Sequence, residues 1–267
     1  MYLGRLTALK ILHHELCDHD PVAEEQFRRG ALLAARISHP GVAQIYDFER
    51  TPDGTCLLAM EFVDGETLGQ RLQRAGPIAV PEAARLLTAL ADGLDHAHGL
   101  GVLHRDLKPE NVMLAPSSGV KILDFGIALE ARSPVASDGF AWGTPAYMSP
   151  EQLLGEPVGP TSDVYALGVL LYETLTGRLP HTGETVLGLL ADKLTRKPRL
   201  LHPLRVRREG DSGGEAGLAD AIAGALAPDP VVRWASAGAF ARAVAAALEG
   251  APTPALPAAW SQYCQTA

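Results

Sequence analysis

Lysine is scarce in this chain. Among 267 residues, Lys10, Lys108, Lys121, Lys193 and Lys197 are the only lysines, and arginine supplies the rest of the positive charge. Basic charge is also short overall: Lys plus Arg is 23 against 31 for Asp plus Glu, a net charge of −8 with pI near 5.6. An acidic chain does not carry the footprint of nonspecific nucleic-acid binding, nor is it drawn to an anionic membrane surface. Cysteine is sparse as well. Cys17, Cys56 and Cys264 are odd in number and form no CxxC pair. That excludes a disulfide framework and the usual zinc spacing, and points to free thiols in a reducing, cytoplasmic compartment. Long hydrophobic runs are missing. The best one, Val164 to Leu171, is under half the ~20 residues a membrane crossing needs, and Asp163 and Glu173 flank it, so no span is expected. The start, MYLGRLTALKIL, lacks the apolar core and small-residue cleavage site of a secretory signal.

What remains is ordinary globular composition, 47% apolar and 20% charged, in a chain long enough to bury a core without metal or disulfide support. Leu6 to Leu12 is an apolar run of strand length with one charge, Lys10. Pro21 to Ile37 has helical spacing, with Phe27, Leu33 and Ile37 near one stripe. Val42 to Phe48 and Cys56 to Val63 read as a hairpin around Thr51-Pro52-Asp53-Gly54, where Pro presets φ and Gly accepts φ > 0. Helices are expected from Pro81 to Leu100, with Leu86, Leu90 and Leu94 as core, and from Thr161 to Thr176, capped by Thr161 and stopped by Gly177. Two more are expected at Leu218 to Leu226 and Ala237 to Leu248, with Gly210 to Gly217 as a loop between helices. A small β-rich part followed by a larger helical part is an α+β arrangement, and a ligand belongs in the cleft between the two.

The segment Gly101 to Gly126 carries the chemistry: GVLHRDLKPENVMLAPSSGVKILDFG. Asp106, Asn111 and Asp124 are oxygen donors on loops at strand ends. Such a set suits Mg²⁺, which takes one or two protein carboxylates and leaves other positions to water and phosphate. Lys108 is placed to neutralise a phosphoryl group in transfer, and a carboxylate left free of metal can accept a hydroxyl proton. His104 reads as a packed core residue. His13, His14 and His19, with Cys17 and Asp18, match no established ligand spacing and read as surface residues.

These residues resemble the eukaryotic-type protein kinase catalytic domain of the bacterial serine/threonine kind, from about Leu6 to about Leu248. Thr7-Ala8-Leu9-Lys10 resembles the VAIK strand, Gly143 to Glu151 the GTPxYMSPE end of an activation segment, and Ser162 to Gly168 the helix that anchors the catalytic loop. Arg233 resembles the late arginine that pairs with the acid at Glu151. The resemblance implies a two-lobed fold: an incomplete N-lobe over 1–63, a C-lobe over 64–250 and a Pro/Ala-rich tail over 251–267. It implies ATP and Mg²⁺ as cofactors and a protein Ser/Thr hydroxyl as acceptor. By position, Asp106 would be the base, Lys108 would contact the γ-phosphate, and Asn111 and Asp124 would hold Mg²⁺. Lys10 would touch the α- and β-phosphates, Glu61 and Val63 would meet adenine through backbone groups beside a gatekeeper at Met60, and Ala8 and Met113 would sandwich the ring. Lys108 with Thr144 favours Ser/Thr over Tyr.

Two features depart from the family. No GxGxxG loop precedes Lys10, and Met1-Tyr2-Leu3 resembles the end of a second strand, which implies a truncated start. The Lys10 strand is then expected to be an exposed apolar edge. Counting back from Ser38-His39-Pro40, the helix Glu that should pair with Lys10 is Gly30, with only the neutral Gln26 one turn earlier. Lowered activity or a repositioned Lys10 is the expected result. Ser133, Ser137 and Thr144 are candidate phosphate acceptors that could pair with Arg105, and Asp138 a candidate substitute for that charge. A pseudokinase acting as a binding or regulatory module is the alternative that Gly30 and the missing loop support; a small-molecule phosphotransferase is a third.

Overall fold

The computed structural model describes residues 6–12, 21–52, 55–125, 145–196 and 213–251, with backbone alone at 21–27 and 213–216. The first part is a strand, a helix and a hairpin: β1 (Thr7–Leu12), α1 (Pro21–Ala34), β2 (Ile45–Arg50) and β3 (Cys56–Glu61). β3 is central, paired antiparallel with both others in the order β1-β3-β2. Its alternation explains that position: Cys56, Leu58 and Met60 are buried on one face. In register with them, Ala8 faces Met60 and Lys10 faces Leu58, so these two share the inner face of β1. The other face of β1 carries Leu9 and Ile11, 57% and 59% exposed. The strand is therefore an apolar edge among the described residues, as its composition implies.

A second small sheet, β4 (Glu66–Thr67), β5 (Val112–Ala115) and β6 (Gly119–Ile122), is also antiparallel. The two sheets are stitched together by Val42, which makes a lone parallel bridge to Ile122. Val42 to Phe48 is thus not one strand. Val42 bridges to the other sheet, and β2 begins at Ile45 with a register shift before Asp47.

The helical part holds α2 (Leu68–Ala75), α3 (Val80–Gly99), α4 (Pro150–Leu154), α5 (Pro160–Thr176), α6 (Val186–Thr195), α7 (Gly213–Ala225) and α8 (Ala237–Glu249). The short elements β4, α2, α4 and α6 do not stand out in the sequence: each is too brief for a period to show, although Thr67 and Gln70, and Ser149 and Gln152, form capping boxes. α5 is the buried axis of this part, apolar on nearly every side. It is capped by Gly159, not Thr161, because Ser162 Oγ accepts the Gly159 N–H, and it ends at Gly177 in the left-handed region (φ 68°). Gly168 lets α7 approach it, since a Cβ there would sit 2.9 Å from Ala225 Cβ. α7 begins at Gly213, so part of the expected Gly210 to Gly217 loop is helix; the Ala-rich stretch that follows propagates a helix through its glycines. Leu86, Leu90 and Leu94 of α3 are core, as their spacing implies. No helix among the described residues is long and apolar enough to cross a membrane.

Candidate active site

Three strands and a buried carboxylate build the site. Val102 begins an extended run that turns sharply at Arg105, a non-glycine residue at φ 64°. A left-handed conformation costs about 1–2 kcal/mol and needs external support. Asp163, on the first turn of α5 and 1% exposed, provides it: its two carboxylate oxygens accept the backbone N–H of His104 and of Arg105, each at 2.8 Å. His98 from α3 adds a third bond at 2.7 Å. Burial pushes the Asp163 carboxyl up, but the His98 hydrogen bond and charge outweigh it and the group stays below the usual carboxylate range. Gln152 of α4 donates to the Arg105 carbonyl at 2.8 Å, so the turn is held from two helices.

His104 is fully buried and burial drives its pKa down. Its Nδ1 accepts the Asp106 N–H at 3.2 Å, and Nε2 therefore donates to the Leu123 carbonyl at 2.9 Å. Its ring packs on Phe125, centroids 4.8 Å apart. A neutral imidazole thus joins the loop of Asp106 to the strand end that carries Asp124, and His104 is the packed core residue its context implies.

The predicted site residues fall into two linked clusters. Lys108 Nζ donates to Asp106 Oδ2 at 2.8 Å. Asn111 Nδ2 donates to the Asp106 carbonyl at 2.7 Å and to its Oδ2 at 3.1 Å. Asp106 Oδ1 lies outside these bonds. In the second cluster, Lys10 Nζ and Asp124 Oδ2 are paired at 2.8 Å, with side chains 46% and 26% exposed. The Leu123 N–H donates to the Asn111 carbonyl at 2.8 Å and couples the clusters through the backbone. Asp124, at φ 54°, turns out of the strand direction at this point. Ala8 lies on the inner face of β1, and Met113 is half-buried on β5. Val63 is half-buried just past β3.

The donor set can be tested against magnesium. The Asn111 amide uses its nitrogen on Asp106, which leaves Oδ1 as a hard oxygen; Asp124 contributes a carboxylate. One amide and one carboxylate fit an ion that keeps waters and takes phosphate oxygens. Among the described residues there is no cluster of three or more His, Cys, Asp or Glu placed to hold a metal ion.

Several contacts went unread in the sequence. Lys121, nearly buried on β6, pairs with Glu61 at 2.9 Å, and Glu61 also accepts the Gln44 N–H at 3.2 Å. The Glu61 carboxylate thus ties the end of β3 to the strand leading into Asp124. The scarcity of lysine was the one available signal. Tyr147 donates its hydroxyl to Glu173. The expected pairing of Glu151 with Arg233 is present as a buried fork, at 2.6 and 2.7 Å, with Ser162 Oγ on the same carboxylate. Burial raises the Glu151 carboxyl, and the Arg233 bond and charge bring it net below the ordinary range. Gly30 stands inside α1, so the helix brings no carboxylate to Lys10 at that position. The Gln26 side chain, the histidines before α1 and Gly126 to Thr144, with Ser133, Ser137 and Asp138, lie outside the described residues.

Comparison with known proteins agrees with this geometry. A family model described as the protein kinase domain matches residues 3–241. The serine/threonine-protein kinase pkn3 of Myxococcus xanthus is 39% identical over 247 residues, covering 89% of this chain and 44% of that protein. The serine/threonine-protein kinase PknA of Mycobacterium tuberculosis is 37% identical over 257 residues, covering 94% of this chain and 57% of that one. The chain thus spans about half the length of these curated relatives. Among solved structures, the kinase domain of Mycobacterium tuberculosis PknI superposes with a TM-score of 0.69 at 29% identity, covering 90% of this chain and 85% of that one. A loop anchored by Asp163, a buried Glu151–Arg233 fork and a family match along nearly the whole sequence lead to one conclusion: this chain belongs to the protein kinase domain family, with the two-lobed α+β fold of that family and similarity to bacterial members.

Proposed function

We propose that this chain transfers the γ-phosphoryl group of ATP to a serine or threonine hydroxyl of a protein, with Asp106 as the base and Lys108, Lys10, Asn111 and Asp124 around the phosphates. The observation that supports the reading best is the bonding of Asp106: Lys108 and Asn111 both donate to Oδ2, which leaves the other oxygen to accept a hydroxyl proton. A bound magnesium nucleotide would supply the transferable group and neutralise its charge, held through Asn111 Oδ1 and the Asp124 carboxylate. This chain's residues do the rest. Asp106 orients the hydroxyl and takes its proton as the new O–P bond forms; the bond to the leaving ADP oxygen breaks. Lys108 moves from Asp106 toward the phosphoryl oxygens as negative charge gathers there. Lys10 exchanges Asp124 for the α- and β-phosphates. The backbone at Glu61 and Val63, with Ala8 and Met113, forms the adenine site. The small sheet part over 1–63 and the helical part over 64–250 act as the two walls of the cleft.

A pseudokinase would have no need to keep Asp106, Lys108, Asn111 and Asp124 bonded in this way, which is why the enzyme reading stands ahead of the binding module. The test is transfer of label from γ-³²P-ATP to myelin basic protein by the wild-type chain and by Asp106→Asn. Label with the wild type and a loss of at least about 10³-fold with Asp106→Asn is expected. Equal labelling by both proteins, or none by either, refutes the reading.

A further inference from the structure

Lys193 is a buried amine that the chemistry above does not use; burial and then the Arg233 charge pull its pKa down to about 7, and three carbonyl acceptors receive its protons when it is charged. It sits on α6, is fully buried, and donates to three carbonyls of one short stretch: Pro145 at 3.0 Å, Ala146 at 2.9 Å and Met148. An ammonium has three protons, and here each has an acceptor. The ring of Tyr165 from α5 lies under it, 5.1 Å from Nζ to centroid, and Arg233 covers the same ring at 5.0 Å. Nothing in a packing role calls for a lysine in that position; an apolar side chain would fill the space without bringing a charge into the interior.

The stretch it holds borders the catalytic loop. Ser149 caps α4, and Gln152 one turn on binds the Arg105 carbonyl. Tyr147 is bonded to Glu173, and both feel the charge of Glu110 in the turn over Pro109–Asn111. Through Ser149 and Gln152 this stretch is joined to the loop of Asp106 and stands beside it; on the phosphoryl-transfer reading it is the wall offered to the acceptor. We propose that Lys193 is a positioning residue for the acceptor: from outside the catalytic cluster it fixes the shape of the 145–148 wall, and so governs acceptor binding and not nucleotide binding. The acceptor part of this inference rests on the phosphoryl-transfer reading above.

Lys193→Met keeps the length and apolar stem and removes every donor; Lys193→Arg keeps donors and charge. Steady-state kinetics with myelin basic protein and ATP, acceptor affinity by fluorescence anisotropy, and amide hydrogen exchange are measured on all three proteins. For Lys193→Met, the KM and Kd for the acceptor should rise about tenfold, as befits charge-assisted bonds lost to the wall. The KM for ATP should stay within twofold, and exchange should accelerate at Ala146 to Ser149 while α5 is unchanged. Lys193→Arg should recover part of the acceptor affinity. Unchanged acceptor affinity, or acceptor and ATP constants that worsen together, overturns the inference. If Lys193→Met does not fold, Lys193→Arg decides: its Kd for the acceptor should exceed the wild-type value while its KM for ATP stays within twofold, and an acceptor Kd equal to the wild type's overturns the inference. If no protein transfers phosphate, the phosphoryl-transfer reading fails while anisotropy and exchange still judge Lys193.

Discussion

Replacing Gly30 with glutamate puts a carboxylate into α1 at the position from which the family's partner for Lys10 comes. Two effects can be worked out. A glycine inside a helix is about 0.5–1 kcal/mol worse than a good helix former, so Gly30→Glu stabilises α1 by about that much. In a chain of this size that raises Tm by about 1–2 °C. The second effect concerns the pair that Lys10 makes now. It bonds Asp124 at 2.8 Å with both side chains partly in water, 46% and 26% exposed. A pair so solvated is worth about 0.5–1 kcal/mol. On the proposed phosphoryl-transfer reading Lys10 leaves this pair to reach phosphate and Asp124 leaves it to serve a cation, so the pair competes with the nucleotide. A glutamate that takes Lys10 away removes that competition. Affinity for the magnesium complex of a fluorescent ATP analogue should rise about two- to fivefold, and kcat/KM for ATP by at least as much. Lys10→Met in the Gly30→Glu background should cancel the gain. A Tm that rises while affinity and kcat/KM stay at wild-type values would refute the competition argument and leave Gly30 a matter of helix stability alone.

Asp163→Asn keeps the shape but offers an N–H₂ to one of two backbone donors; denaturant unfolding should show a loss of about 2–4 kcal/mol, and kcat should fall at least 10²-fold as the Arg105 turn relaxes. Glu151→Gln leaves the fully buried Arg233 without its counter-charge, and the same unfolding measurement should give a loss of about 3–5 kcal/mol. Acid sensitivity follows from His104 and His181, both buried and both pushed below the ordinary imidazole range by burial, His181 further by the Lys193 charge. Below about pH 6.5 the unfolded chain binds protons that the folded chain does not, so stability falls with pH, at up to about 1.4 kcal/mol per pH unit for each histidine. Unfolding free energies from pH 7.5 to 5.5 check this, and a flat profile contradicts it.

The run from His104 to Asn111 and the acid at Asp124 stand out in the sequence as a set of oxygen donors with a lysine, and the fold does bring them together: Lys108 and Asn111 on Asp106, and Leu123 on the Asn111 carbonyl. The outlines of β1, α1, β3, α3, α5 and α8 are legible too, since each shows an apolar period long enough to recognise. Gly30 is legible as a missing charge, counted from Ser38-His39-Pro40. What Lys10 does in the absence of that charge is not: only the folded chain brings β1 beside Asp124. The same is true of Asp163, which lies 58 residues from the Arg105 N–H it binds, and of Arg233, 82 residues from Glu151. Sequence thus determined which chemical groups are present and the local periods that make helices and strands, because both depend on neighbours along the chain. Tertiary structure decided which charges are buried and with whom they pair, as with Lys121 on Glu61 and Lys193 on three carbonyls. A buried charge is tolerated only where acceptors converge on it, and that convergence comes from elements distant in sequence.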